Sequence, residues 1–142
     1  MKISARNIFK GTISAVRPGS VNAEVDIQVG SGDTLVAIVT MGSVEALGLA
    51  VGGEVYALAK APWVMVTTDL GGLRLSARNQ LAGTVKAVEN GAVNSEVVIT
   101  LPGGTDVAAI VTKEAVHELG LKPGVAATAI IKASHLVLGV KG

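Results

Sequence analysis

Apolar and polar residues alternate along much of this chain. Val21, Ala23, Val25, Ile27 and Val29 fall on one side of an extended segment, with Asn22, Glu24, Asp26 and Gln28 on the other. That period of two belongs to a strand with one buried face. A looser alternation from Asn7 to Arg17 predicts a preceding long strand, bent near Gly11 because glycine inside a strand commonly marks a bulge. Pro18-Gly19 supplies the turn that ends it. Gly30-Ser31-Gly32-Asp33 predicts a hairpin loop, and Thr34 to Thr40 a third strand apolar enough to be covered on both sides. From Thr40 to Leu49 the period lengthens. Val44 and Leu47 sit three apart, Ser43 is suited to cap the start and Gly48 to end it, which predicts one or two helical turns. Glu54 to Lys60 and Trp63 to Thr68 read as two further strands joined at Ala61-Pro62.

The whole pattern then recurs. Ser4-Ala5-Arg6-Asn7 returns 72 positions on as Ser76-Ala77-Arg78-Asn79, and the match continues without a gap. Val21-Asn22 meets Val93-Asn94, Glu24-Val25 meets Glu96-Val97, and Ile38-Val39-Thr40 meets Ile110-Val111-Thr112. Leu47-Gly48-Leu49 and Lys60-Ala61 recur as Leu119-Gly120-Leu121 and Lys132-Ala133. A gap-free match of this length identifies an internal duplication. It divides the chain into a first unit at residues 1–68, a linker at 69–75 that includes Gly71-Gly72, and a second unit at 76–142. Three strands, a short helix and two strands in each unit predict an all-β fold of two tandem OB-fold-like, five-stranded Greek-key barrels. A plain five-stranded sheet carrying one helix is the structural alternative.

Composition narrows this further. Hydrophobic residues make up 49% of the chain, yet there is one Phe, one Tyr and one Trp, so the core must be built from Val, Ile, Leu and Ala. A unit this small is marginal alone, and packing between copies or between chains is expected. The net charge of +1 does not suit a broad phosphate-binding surface. With no Cys, neither disulfides nor thiolate metal sites arise. The start at Met1-Lys2-Ile3 carries no apolar core of signal-peptide length and no apolar run reaches the ~20 residues of a membrane span, so a soluble cytoplasmic protein is expected.

Catalytic chemistry finds few candidates. His117 and His135 align with Glu45 and Trp63 of the first copy, so an imidazole base or His metal site is not part of the shared design. Glu24 and Glu96 recur, but each is a single carboxylate on a polar strand face, better read as a structural acceptor. Neither Gly-rich turn ends as a P-loop does. No enzyme, metal-cation site or organic cofactor is expected.

The copies do share hydrogen-bond donors: Ser4 with Ser76, Arg6 with Arg78, Thr40 with Thr112, and Lys60 with Lys132. Among basic residues inside the repeat, only the Arg and Lys pairs keep their place. Hydroxyls, a guanidinium and an ammonium can all donate, and together they suit a small dianion with oxygens on every side. Thr40 precedes the predicted helix, whose first backbone N–H groups favour negative charge. Solvated charges at strand ends are the simpler reading of any one of these residues, but not of all of them repeated in register.

These motifs together resemble the Mop domain, the molybdate-binding domain of the molbindin family, and the two copies resemble its tandem, stand-alone type. The resemblance covers nearly all the chain outside the linker. It implies OB-like barrels, a homotrimer, and oxyanion sites for molybdate, with tungstate as its analogue, at the boundaries between domains. By the same resemblance the binding residues are Ser4, Ala5, Arg6, Thr40, Ser43, Lys60 and Ala61 in the first copy. In the second they are Ser76, Ala77, Arg78, Thr112, Lys132, Ala133 and Ser134, with Ala115 in place of the helix-start Ser. Ser134 stands where the first copy has Pro62, and its hydroxyl can compensate. Oxyanion sites on a threefold axis are a further family property, for which the turns Gly19, Ser20, Val21, Asn22 and Gly91, Ala92, Val93, Asn94 are the candidates. The implied function is cytoplasmic molybdenum homeostasis or storage, with no nucleic-acid or membrane partner.

Molybdate is a tetrahedral dianion at neutral pH that accepts hydrogen bonds and donates none, so a donor-only set suits it. Sulfate has the same charge and a smaller size. The rival readings are a nucleic-acid-binding tandem OB-fold, which would stack bases on exposed aromatics along a basic groove, and a purely structural oligomerisation module. The first is opposed by three aromatics and the near-neutral charge. The second leaves the in-register Arg and Lys unexplained. A molybdate-responsive regulator would need a DNA-binding domain, for which this length leaves no room.

Overall fold

The computed structural model describes residues 1–142. The first unit contains β1 (Asn7–Pro18), β2 (Asn22–Val29), β3 (Asp33–Thr40), α1 (Met41–Leu47), β4 (Glu54–Ala59) and β5 (Met65–Thr67). The second contains β6 (Asn79–Asn90), β7 (Asn94–Thr100), β8 (Asp106–Thr112), α2 (Lys113–Leu119), β9 (Ala126–Ile131) and β10 (Val137–Gly139). A single 3-10 turn, Ala61–Trp63 or Ala133–His135, precedes the last strand of each unit. Neither helix is long and apolar enough to cross a membrane.

Antiparallel pairing builds two five-stranded sheets, ordered β10-β4-β1-β2-β3 and β5-β9-β6-β7-β8. The short closing strands are exchanged. β5 of the first copy pairs with β9 of the second, Met65 opposite Ile130, and β10 of the second pairs with β4 of the first, Val137 opposite Leu58. Each sheet is therefore finished by the other copy, and the expected five strands hold in number but not in the copy they come from. β3 and β10, the two ends of the first sheet, approach one another without a ladder between them.

β1 serves two partners. Its first half, Asn7 to Thr12, pairs with β4, and its second half, from Gly11, pairs with β2. The bulge lies at Ser14, between the pairs Ile13–Ile27 and Ala15–Asp26, rather than near Gly11 as the sequence suggested. Gly11 has a different cause: a Cβ there would collide with the Gln28 carbonyl oxygen and the Ile27 side chain. Gly83 meets the same constraint against Thr100 and Ile99.

Three other expectations are corrected. Val21 lies outside β2 and is 71% exposed, because the turn before the strand points it away from the core. β3 is covered fully on one face only, with Val36 and Ile38 half-buried on the other. The segment from Trp63 begins as the end of the 3-10 turn, which shortens the last strand to Met65–Thr67.

The alternation of β2 places Ala23, Val25, Ile27 and Val29 inside, and the last three join one contiguous apolar cluster drawn from both copies. Two small cores thus behave as one larger core, which answers the marginal size of either unit. Two polar devices join the copies. Asn79 is 1% exposed; its Oδ1 accepts from the Val36 N–H at 2.8 Å and its Nδ2 donates to the Val36 carbonyl at 2.7 Å. Asn7 makes the same two bonds with Ala108, at 2.7 and 2.8 Å. Each asparagine therefore satisfies one residue on the edge strand of the opposite sheet. At the hairpin tips, the buried Asp33 carboxylate accepts from the Gly103 N–H at 2.9 Å and the Thr105 N–H at 3.3 Å.

Replacing Asn7 with Ala strands a buried backbone donor and acceptor at Ala108, each costing about 1 to 3 kcal/mol, whereas Val36, the partner of Asn79, is half-buried and within reach of water. Asn7→Ala should lower unfolding free energy by about 2 to 6 kcal/mol in urea titration, with Asn79→Ala costing less. A loss under about 0.5 kcal/mol would show that water replaces the amide.

Candidate functional site

The opening motifs lie in irregular chain that leads into β1 and β6, whose first residues are Asn7 and Asn79. The buried Asn7 and Asn79 anchor them there, leaving the adjacent Arg6 and Arg78 exposed. The structure gathers the second copy's motif with its late basic segment. Ser76, Ala77, Arg78, Lys132, Ala133 and Ser134 line one cleft of about 530 Å³. Its opposite wall comes from the first copy, with Ile38, Pro62, Trp63 and Met65. In the first copy, Ser4, Ala5 and Lys60 line a smaller hollow of about 180 Å³ with Trp63 and Val137, and Arg6 is not on its wall. Ala61 and Ala133 are buried at the starts of the 3-10 turns, where they fix the direction of the exposed Lys60 and Lys132.

The helix starts lie elsewhere. Thr40 and Ser43 open, with Asn22, into a cavity of about 370 Å³ whose far side carries Ser134 and β10. Ile38 and Ser134 border both this cavity and the larger cleft, so the two adjoin. Thr112 instead faces an open depression with Ala92, Val93, Lys113 and His117. Within one chain, then, neither copy's own Ser, Arg, Thr and Lys meet in a single cavity.

The capping expectation shifts by one turn position. Thr40, not Ser43, is the N-cap of α1: its Oγ1 accepts from the Ser43 N–H at 3.1 Å. Ser43 follows at the third helical position, its Oγ 2.9 Å from Thr40 Oγ1. Thr112 caps α2 in the same way through the Ala115 N–H. Gly48 ends α1 in the left-handed conformation, φ 63°. The turns proposed for a threefold axis sit against these helix starts. Gly19 N–H donates to Asn22 O at 2.8 Å and Met41 N–H to Val21 O at 2.9 Å; Gly91, Asn94, Lys113 and Val93 repeat both bonds. Gly19, Ser20, Val21 and Asn22 are exposed, as are Gly91, Ala92, Val93 and Asn94.

The charges are arranged reciprocally. Arg78 Nη1 donates to Glu24 Oε2 at 2.7 Å, and Arg6 Nη2 donates to Glu96 Oε1 at 2.7 Å, each pair joining the two copies. Every guanidinium has further N–H groups beyond the one used. Glu24 also receives Arg17, whose Nε lies 3.1 Å from Oε1 and whose Nη1 reaches Asp26 Oδ2 at 3.0 Å. Asp26 and then Glu24 raise the Arg17 pKa, so that guanidinium stays charged at every working pH. The repeated glutamates, read in sequence only as acceptors, thus hold the repeated arginines. Aromatic residues mark the cleft as well: Trp63 and His135, equivalent in the repeat, meet at 5.3 Å between ring centroids with planes tilted by 39°. Sequence reasoning set His135 aside because its copy partner is Trp63. The structure places it on the cleft wall.

A TOBE domain family model matches residues 3–66 and again residues 75–138. The chain belongs to the TOBE-domain family. Its tandem TOBE domains are 46% identical over 142 residues to the molybdenum transport protein ModE of Azotobacter vinelandii, covering all of this chain and 52% of that one. They are 41% identical over 140 residues to the molybdenum-pterin-binding protein MopA of Rhodobacter capsulatus, covering 99% of this chain and 53% of MopA. The chain thus spans about half the length of the curated relatives it matches. Among solved structures, the cytoplasmic molybdate-binding protein ModG, crystallised with molybdate bound, is 62% identical. It superposes with a TM-score of 0.94 over 99% of this chain and 100% of its own. The tandem TOBE architecture therefore agrees with the family resemblance carried by the repeated motifs.

The cap is separable from any ligand. Removing the Thr40 side chain as Thr40→Ala should cost about 1 kcal/mol in thermal or urea unfolding. Ser43→Ala, which keeps the capped N–H, should cost less. A larger loss in Ser43→Ala than in Thr40→Ala would place the cap on Ser43 instead.

Proposed function

We propose that this protein binds molybdate, with tungstate as analogue, in the cytoplasm, and serves molybdenum homeostasis or storage. The observation that carries this reading is the cleft in which Ser76, Arg78, Lys132 and Ser134 offer donors and no carboxylate lines the wall, on a chain 62% identical to molybdate-bound ModG. A tetrahedral dianion with four accepting oxygens matches that donor set. No catalytic group is assigned.

The oxyanion-binding residues in this reading are Ser4, Arg6, Thr40, Ser43, Lys60, Ser76, Arg78, Thr112, Lys132 and Ser134, with the backbone of Ala5, Ala61, Ala77 and Ala133. The working unit is a homotrimer. Two observations support it: the donors of either copy are divided among separate cavities within one chain, and Ile8, Val21, Met65, Val93 and Val137 are exposed large apolar residues. Chains meeting at these surfaces would bring helix starts to opening motifs and bury the apolar positions. The turns Gly19–Asn22 and Gly91–Asn94 are the candidates for sites on the trimer axis.

Elemental analysis after dialysis against molybdate, with sulfate as control, tests the reading directly. Retained molybdenum is expected, and none would overturn it. Arg6→Ala combined with Arg78→Ala should weaken molybdate binding tenfold or more while the oligomer persists in light scattering. A unit charge pair at ~4 Å is worth about 1 kcal/mol in water and ~4 kcal/mol at a surface-like dielectric. Trp63 borders both clefts, so its fluorescence should respond to molybdate and not to equal sulfate.

The helix-start difference gives a second measurement. Ser43 supplies a hydroxyl where the second copy has Ala115, and such a bond to a charged partner is worth ~1.5 to 3 kcal/mol. Ala115→Ser should tighten the sites that use α2 and leave those using α1 unchanged in calorimetry. No gain would remove Ser43 from the ligand shell.

A further inference from the structure

The two arginine–glutamate pairs are equivalent in the repeat, but the residue behind each glutamate is not. On β1, Arg17 lies directly opposite Glu24 in the ladder and bonds both Glu24 and Asp26. The matching position on β6 is Glu89, directly opposite Glu96, and Val98 stands where Asp26 would be. Glu24 is therefore shared by two guanidiniums, Arg17 and Arg78, in a group with Asp26 that is balanced in charge. Glu96 faces one guanidinium, Arg6, and one carboxylate, leaving that group with an excess negative charge.

The surrounding cavities differ in the same sense. Arg78 lines the cleft with Ser76, Lys132 and Ser134, whereas Arg6 is absent from the wall of the hollow that holds Ser4 and Lys60. A carboxylate neutralised by a second cation competes less for its arginine, and the added cation extends a favourable field toward an approaching dianion. A carboxylate beside another carboxylate does the reverse. Arg17 and Arg78 bond the same Glu24, within the Debye length of about 8 Å at physiological salt, and Glu89 stands opposite the Glu96 that holds Arg6, so screening reduces the difference without removing it.

Building on the proposed oxyanion function, we propose that the residue pair Arg17 and Glu89 sets unequal strengths for the two arginines. Arg78 is the strong oxyanion anchor. Arg6, held by Glu96 in a net negative setting, is the weak one. Arg17 and Glu89 touch no ligand in this account; they are positioning residues that act through Glu24 and Glu96. The duplication has thus let one copy tune the other's site, because each glutamate lies on the opposite copy from the arginine it holds.

The test is calorimetric titration of the intact oligomer with molybdate at low salt and at ~0.15 M salt. The wild type should show two affinity classes. Glu89→Arg, on an exposed strand face, should tighten the weak class about three- to tenfold and leave the strong class in place. Arg17→Glu should weaken the strong class by a similar factor, and both effects should shrink as salt rises. Glu89→Gln should give an intermediate gain, and thermal melting checks that each variant is folded. Equivalent sites in the wild type, or unchanged classes in both charge-reversal variants, would overturn the inference while leaving molybdate binding intact. A wild type that binds no molybdate would overturn the proposed function and this inference with it.

Discussion

Unpaired backbone groups at the edges of a small sheet are the constraint on which this structure depends. A four-stranded piece of either copy would leave an open edge at β4 or β9 and another at β3 or β8, with donors and acceptors needing partners. The fold meets both demands from the other copy. β10 and β5 cover the first pair of edges through ordinary ladders, and Asn79 and Asn7 cover Val36 and Ala108 on the second pair through side-chain amides that imitate a strand. Because these partners come from the opposite copy, neither sheet is complete alone, and the shared apolar cluster follows from the same exchange.

That interdependence also positions the polar chemistry. Asn7 and Asn79 sit one residue beyond Arg6 and Arg78, so the amide clamp that closes an edge also fixes where each guanidinium leaves the backbone. The clamp delivers Arg78 to Glu24 and Arg6 to Glu96 across the copies. These pairs are exposed, so they add little to stability. Their effect is geometric: each restrains a flexible guanidinium, and the Glu24 pair holds Arg78 on the wall of the cleft. In the proposed function the four-residue opening motif joins a structural requirement to a binding one, and the motif recurs whole in the second copy.

Several elements were legible because a local rule was enough. The alternation of β2 placed Ala23, Val25, Ile27 and Val29 inside, as the pleat requires, and Gly48 ended α1 at the expected turn. The repeat supplied a comparison within one chain, which separated shared donors from isolated ones. Where two local rules competed, reading was less sure. Gly11 suggested a bulge, yet its role is close approach to Gln28, and the extra residue is Ser14, whose identity carries no bulge signal. Thr40 and Ser43 are both good N-caps, and only the backbone at Thr40, extended at φ −70° and ψ 151°, selects between them.

The sequence by itself determined the duplication, the all-β character, the short helices and the set of donors, because each depends on residue type and spacing along the chain. Tertiary structure decided which copy finishes which sheet. β5 pairs with β9 in the same register that β10 uses on β4, so the two edges are chemically interchangeable and no local preference selects between them. It also decided that Glu24 holds Arg78 and Arg17 while Glu96 holds Arg6 opposite Glu89, since partners 54 and 90 residues apart are set by packing and not by spacing. The division of the donors among separate cavities has the same origin: periodicity assigns a residue to a face, but only the packed arrangement of faces assigns it to a site.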